Sequence, residues 1–190
     1  MAETVILASK SPRRAELLQQ IGLRFEVIAA DIDETPAVNE GAQEYVRRMA
    51  VEKAMAVVAL APNRAVLAAD TSVILDGEIL GKPESRRHAE VMLSRLSGRS
   101  HQVMTAVALY AGGTLRQALA VTEVTFAVLS PAQIRAYLAT GEADDKAGSY
   151  GIQGAAGYFV QHLSGSYSGV VGLPLYETAA LLSEAGIGLA

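Results

Sequence analysis

Residues 65–81, AVLAADTSVILDGEILG, restrict the possible folds more than any other stretch of the chain. AVLAA (65–69) is apolar at every position, as expected of a strand covered on both faces. Just beyond it, SVILDGEILG (72–81) places Asp-Gly between two apolar runs, a strong signal for a two-residue hairpin turn. A buried strand leading into a hairpin requires an antiparallel pair. The flanking segments alternate strand and helix patterns, which require parallel crossovers. Only a mixed sheet accommodates both.

The rest of the pattern agrees. A strand at 4–8 precedes a helix at 12–21, started by the Ser11 hydroxyl and Pro12 and closed by Gly22. LRFEVIAA (23–30) reads as a second strand. Residues 42–61 form a long helix with Val46, Met49, Ala50, Ala54 and Val57 on one face. A helix over 85–96, strands at 101–111 and 115–128 meeting at AGGT, and a helix from Ser130-Pro131 to Gly141 follow. A glycine-rich loop (148–157), a strand at 158–163 and a helix near 175–185 complete the reading. The prediction is an α/β fold, a mixed twisted sheet with flanking helices, in one domain spanning 1–190.

Composition removes several function classes. The 190 residues contain no cysteine, so neither a disulfide framework nor a thiolate nucleophile is available. A net charge of −4 argues against a general nucleic-acid binder. No apolar run approaches the ~20 residues of a membrane span, and MAETVILASKSP lacks the charged start and apolar core of a signal peptide. A cytoplasmic protein is expected, with neither membrane nor nucleic acid as partner. Three well-separated histidines give no zinc-ligand spacing. GEILGKP is too compact for a phosphate-binding P-loop, and Pro83 stands where that loop needs Ser or Thr.

Arg13 and Arg14 lie in the first turn of a helix, where free N–H groups and the dipole already favour anions. Two cations there are either solvated or waiting for something negative. DIDET puts Asp31, Asp33 and Glu34 in one segment, an acidic loop unless a cation joins it. Asp70, read as ending a buried strand, is costly unless paired, hydrogen-bonded or metal-bound. Glu44, Arg48 and Glu52 form a surface ladder, from which Lys53 is excluded by its apolar neighbours. Lys53 either snorkels or points into a cleft, and neither it nor Lys82 is assigned an ion pair. Arg13, Arg14, Lys53, Lys82 and Lys146, taken with the acids, fit a polyphosphate with a divalent metal ion.

Six segments carry a resemblance: LASKSPRRAELL, DIDET, AADTSVILDGEILGKP, SGRSHQVMTAVAL, DKAGSYGIQG and VVGLPLYET. In this order, over nearly the whole chain, the sequence resembles the Maf family of nucleoside triphosphate pyrophosphatases. The resemblance implies an elongated, two-lobed fold of the inosine-triphosphatase type with a central cleft. It implies hydrolysis of a nucleoside triphosphate to monophosphate and pyrophosphate with Mg²⁺ or Mn²⁺, and commonly a homodimer. Nucleotide-pool housecleaning and arrest of septum formation are associated with the family. Alternative readings are a non-catalytic nucleotide-binding regulator of septum formation, a 7-methyl-GTP pyrophosphatase of the sister branch, and a phosphatase that removes the γ-phosphate.

By the same resemblance Asp70 is the general base, Glu34 and Asp70 are the metal ligands with Asp33 a helper, and Lys53 and Lys82 neutralise phosphate charge. Arg14, Ser9 and Lys146 assist in holding phosphate. Arg13, Thr71 and Gln153 occupy three positions where the branch preferring dTTP and UTP carries Arg, Thr and Gln. The branch preferring 7-methyl-GTP tends to carry Trp, Gln and Glu there. Preference for dTTP and UTP, with CTP weaker, is therefore expected. The chemistry agrees, since a Gln amide both donates to and accepts from a uracil or thymine edge.

Overall fold

A computed structural model describes residues 4–189. Seven strands and six helices follow in chain order: β1 (Val5–Leu7), α1 (Pro12–Gln20), β2 (Phe25–Val27), α2 (Ala42–Val58), β3 (Val66–Leu75), β4 (Glu78–Leu80), α3 (Arg86–Leu96), β5 (Ser100–Ala111), β6 (Thr114–Phe126), α4 (Pro131–Leu138), β7 (Val160–Ser164), α5 (Tyr167–Val171) and α6 (Leu175–Glu184). The strands pair in the order β2-β1-β3-β5-β6-β7, with β4 on β3. β1 is parallel to β2 and β3, whereas β4 is antiparallel to β3 and β7 to β6. The sheet is mixed, as the hairpin required. At its turn Asp76 and Gly77 both adopt positive φ, 53° and 81°, matching the two left-handed positions of a type I′ turn.

The chain gathers into two compact units. The first comprises residues up to Asp70, Thr105–Ala120 and those from Gly172 onward; the second comprises Thr71–Met104 and Val121–Val171. In the first, β1 is wholly buried, α1 turns Leu17 and Leu18 inward, and α2 buries the expected stripe from Val46 to Val57. In the second, aromatic rings meet edge to face, as ring quadrupoles favour. Phe126 lies 4.8 Å from Tyr150, 5.8 Å from Phe159 and 5.0 Å from His101, and Tyr137 lies 5.2 Å from Phe159. α3 and α4 begin on the Ser85 and Ser130 hydroxyls, and Gln133 completes a capping box with Ser130.

Several boundaries differ from expectation, each for a local reason. β3 continues through Asp70 to Leu75, so this acid sits inside a ten-residue strand rather than at its end. A buried carboxylate breaks no ladder hydrogen bond, and the strand persists once its charge is matched. α2 ends at Val58, and β2 is confined to Phe25–Val27. The glycine-rich loop contains two 3₁₀ turns, Ala147–Ser149 and Ala155–Phe159, and β7 starts only at Val160. The one-turn helix α5 has too few residues for a periodic signal. It is started by Ser166, whose Oγ accepts from Gly169 N at 3.0 Å.

Candidate active site

Within the first unit, Lys53 joins two acids. Its Nζ donates to Asp70 Oδ1 at 2.7 Å and lies 2.9 Å from Glu34 Oε1. Lys53 comes from the buried stripe of α2, Asp70 from β3 and Glu34 from the loop after β2. The sequence assigned Lys53 no ion pair; the structure corrects this. A lysine and an aspartate that are both nearly buried would each carry a heavy desolvation cost alone. Together they meet it, and Glu34, about half exposed, completes the triad from the solvent side.

Arg14 extends the cluster. Its Nε donates to Gly172 O at 2.8 Å and its Nη1 to Ser9 Oγ at 3.2 Å. Burial holds its guanidinium below the ordinary arginine value; Asp70 and Glu34 oppose that shift and Arg13 adds to it. Ser9 Oγ also accepts from Ser11 N at 3.1 Å. Ser11 makes no side-chain cap, so the capping hydroxyl expected from it is not realised; its own N–H is instead taken up by Ser9. Gly172 adopts φ 136°, a conformation that L side chains rarely adopt, where its carbonyl meets Arg14.

The acidic loop is not uniform. Asp33 Oδ1 accepts from Thr35 N at 2.9 Å and Thr35 Oγ1 at 2.6 Å, and these bonds lower its pKa. Such an Asx turn commits Asp33 to its own backbone, while Asp31 is exposed. Of the three acids, the contact with Lys53 comes from Glu34. Arg48 departs from the expected ladder. It bonds Glu52 at 3.1 Å, but its shorter contacts go to Glu40, at 2.6 and 2.7 Å, while Glu44 caps Gly41 N. Tyr45, which sequence reading missed, donates its hydroxyl to Glu34 O at 2.8 Å. Burial, with Asp70 and Glu34 next in weight, pushes that hydroxyl up to about 12.

Arg13, partly buried in the first turn of α1, also belongs to the first unit; the remaining sequence candidates belong to the second. Thr71 follows Asp70 on β3 and is partly buried; Lys82, after β4, is exposed. Lys146 Nζ donates to Glu142 O at 2.6 Å and Asp145 Oδ1 at 2.8 Å. Gln153 is exposed between the two 3₁₀ turns, in a loop tied down by the Glu142 carboxylate, which accepts from Ala155 N at 3.0 Å. Gly148 in the first turn has φ 67°, and a Cβ there would stand 2.9 Å from the Val73 side chain.

No group of three His, Asp or Glu side chains is assembled for a metal ion among the described residues. The Asp70–Glu34 pair nevertheless has the right chemistry for Mg²⁺ or Mn²⁺. Two hard carboxylates already converge on one cationic centre, and Mg²⁺ is commonly held by one or two carboxylates together with phosphate oxygens and water.

Comparison with known proteins places these residues in context. The family described as Maf-like protein matches residues 4–185. A dTTP/UTP pyrophosphatase of Colwellia psychrerythraea is 54% identical over 190 residues, covering 97% of this chain and 90% of that protein. One from Methylococcus capsulatus is 53% identical over 187 residues, covering 98% and 93%. Among solved structures, the Staphylococcus aureus Ham1 protein overlaps 65% of this chain and 72% of its own, with 18% identity and a TM-score of 0.47. A HAM1 protein from Coxiella burnetii overlaps 65% and 73%, with 18% identity and a TM-score of 0.43.

Proposed function

This chain belongs to the Maf family, and from that premise we propose that it is a nucleoside triphosphate pyrophosphatase converting dTTP and UTP to the monophosphate and pyrophosphate. The observation that carries the reading is the Lys53 ammonium held between Asp70 and Glu34, in a chain more than half identical to proteins named for this activity.

The reaction needs a water in line with the α-phosphorus and neutralisation of the leaving pyrophosphate. Asp70 accepts the water's proton on the oxygen not engaged by Lys53, as a general base. The water oxygen bonds to the α-phosphorus, the bond from that phosphorus to the bridging oxygen breaks, and its electron pair leaves with pyrophosphate. Lys53 fixes the Asp70 rotamer and adds positive charge beside the phosphates. Arg14, braced by Gly172 and Ser9, offers a planar donor group to phosphate oxygens. Glu34 and Asp70 would hold a Mg²⁺ or Mn²⁺ ion, which when bound supplies charge neutralisation and polarises the phosphoryl group.

Lys82 and Lys146 are proposed to add phosphate neutralisation, and Arg13, Thr71 and Gln153 to select the pyrimidine base, on the family pattern of these positions. Family membership also supports a homodimer acting in the cytoplasm; no helix among the described residues is long and apolar enough to cross a membrane. The test is a panel of nucleoside triphosphates, each with Mg²⁺ or Mn²⁺, with every product identified. Monophosphate plus pyrophosphate from dTTP and UTP, with purine triphosphates poorly turned over, is expected. Diphosphate plus phosphate, or comparable efficiency on 7-methyl-GTP and dTTP, would refute it.

A further inference from the structure

Glu34 reaches Lys53 from an exposed loop, and its side chain is 48% exposed. Its main chain is held as well. Tyr45 and Arg48, three residues apart on α2, hold two consecutive carbonyls of that loop. Tyr45 Oη donates to Glu34 O at 2.8 Å, and Arg48 Nη2 donates to Thr35 O at 3.1 Å.

Both donors are themselves braced. The Tyr45 ring is buried, and the Arg48 guanidinium carbon lies 5.7 Å from its centroid. Glu40 binds Arg48 through both carboxylate oxygens and also accepts from Ala37 N at 2.9 Å. Asp33 closes the other side of the turn on Thr35. The loop is therefore tied at 33, 34, 35 and 37, and Glu34 is the residue in it that meets Lys53.

We infer that Tyr45 and Arg48 are positioning residues for Glu34, holding its backbone so that the carboxylate stays on Lys53 and beside the reacting phosphates. The inference rests on the part assigned to Glu34 in the proposed function. It gives Arg48 a duty beyond its pair with Glu52. Its consequence is kinetic, because a misplacement of about 1 Å can cost on the order of 100-fold in a well-aligned site.

The experiment compares Tyr45→Phe in the parent and in a Glu34→Gln background. It measures kcat and KM for dTTP, the Mn²⁺ concentration giving half-maximal turnover, and the unfolding midpoint. Removing one hydroxyl should lower kcat about three- to tenfold and raise the Mn²⁺ requirement, with KM for dTTP near the parent value. In the Glu34→Gln background the same change should cost nothing further. Arg48→Lys, which keeps the charge but loses the planar fork, should behave like Tyr45→Phe in both backgrounds. An equal loss in both backgrounds, or an unchanged kcat and Mn²⁺ requirement in the single variants, overturns the inference while leaving Glu34 its part. Parental turnover in Glu34→Gln alone removes the assigned part of Glu34, and this inference with it.

Discussion

Lys53 and His101 are the instructive pair. Each is buried in its own unit, at 9% and 3% relative exposure, and each is a titratable group inside an apolar setting. Lys53 meets two carboxylates, on β3 and on a loop. His101 meets rings: Phe126 and Tyr150 stand edge-on to it, the Tyr150 hydroxyl lies 2.8 Å from Nε2, and Nδ1 has no hydrogen-bond partner. Burial pushes the imidazole down to about 4 and raises the Tyr150 hydroxyl. Burial alone does not identify a functional residue. On the proposed function, the buried charge matched by charges from separate elements serves chemistry, and the buried ring in an aromatic cluster is core.

If that contrast is right, lesions in the two places should separate activity from stability. The largest effect is expected from Asp70→Asn, which keeps shape but removes basicity and charge. Turnover of dTTP should fall ~100- to 10,000-fold, while Lys53 keeps Glu34 as a partner and the variant folds. A folded variant with near-parental turnover would erase the distinction.

His101 should give the converse, an effect on stability alone. Its folded value of about 4 lies below the ordinary histidine value of 6.5, so its contribution is fully present above pH 6.5 and declines as pH falls toward 4. The sign follows because the unfolded chain binds the proton first. The loss across that window is about 3 kcal/mol. Denaturation measured between pH 7 and 4.5 should show this slope, and His101→Phe should flatten it. An unchanged slope in the variant would mean that His101 is not the titrating group.

The smallest effect sharpens the contrast. Ser130→Ala removes the hydroxyl that accepts from Gln133 N at 3.2 Å at the start of α4. It should cost about 1 kcal/mol of stability and leave dTTP turnover intact. A matching loss of turnover would show that the second unit's scaffold and the chemistry are not separable.

Much of this was legible beforehand because the signals were local. Asp76-Gly77 announced its turn, Ser130-Pro131 its helix, and the apolar stripe of α2 its buried face. Asp70 stood out as an acid in an apolar run, although its place inside β3 did not, since a paired carboxylate is compatible with a strand. What stayed hidden is long-range. Gly172 lies 158 residues from Arg14 in the chain, and no periodicity connects them. Lys53 looked like a misfit until Glu34 and Asp70 arrived from other elements. Tyr45 gave no signal because its hydroxyl acts on a backbone carbonyl rather than within a motif.

In the proposed reaction water attacks the α-phosphorus with Asp70 as its base. Hydrolysis of dTTP in oxygen-18 water, followed by mass spectrometry of both products, tests this most directly. The heavy oxygen is expected in the thymidine monophosphate, with none in the pyrophosphate, and that labelled product should be lost in Asp70→Asn. Heavy oxygen in pyrophosphate, or in free phosphate released beside a diphosphate, would contradict it.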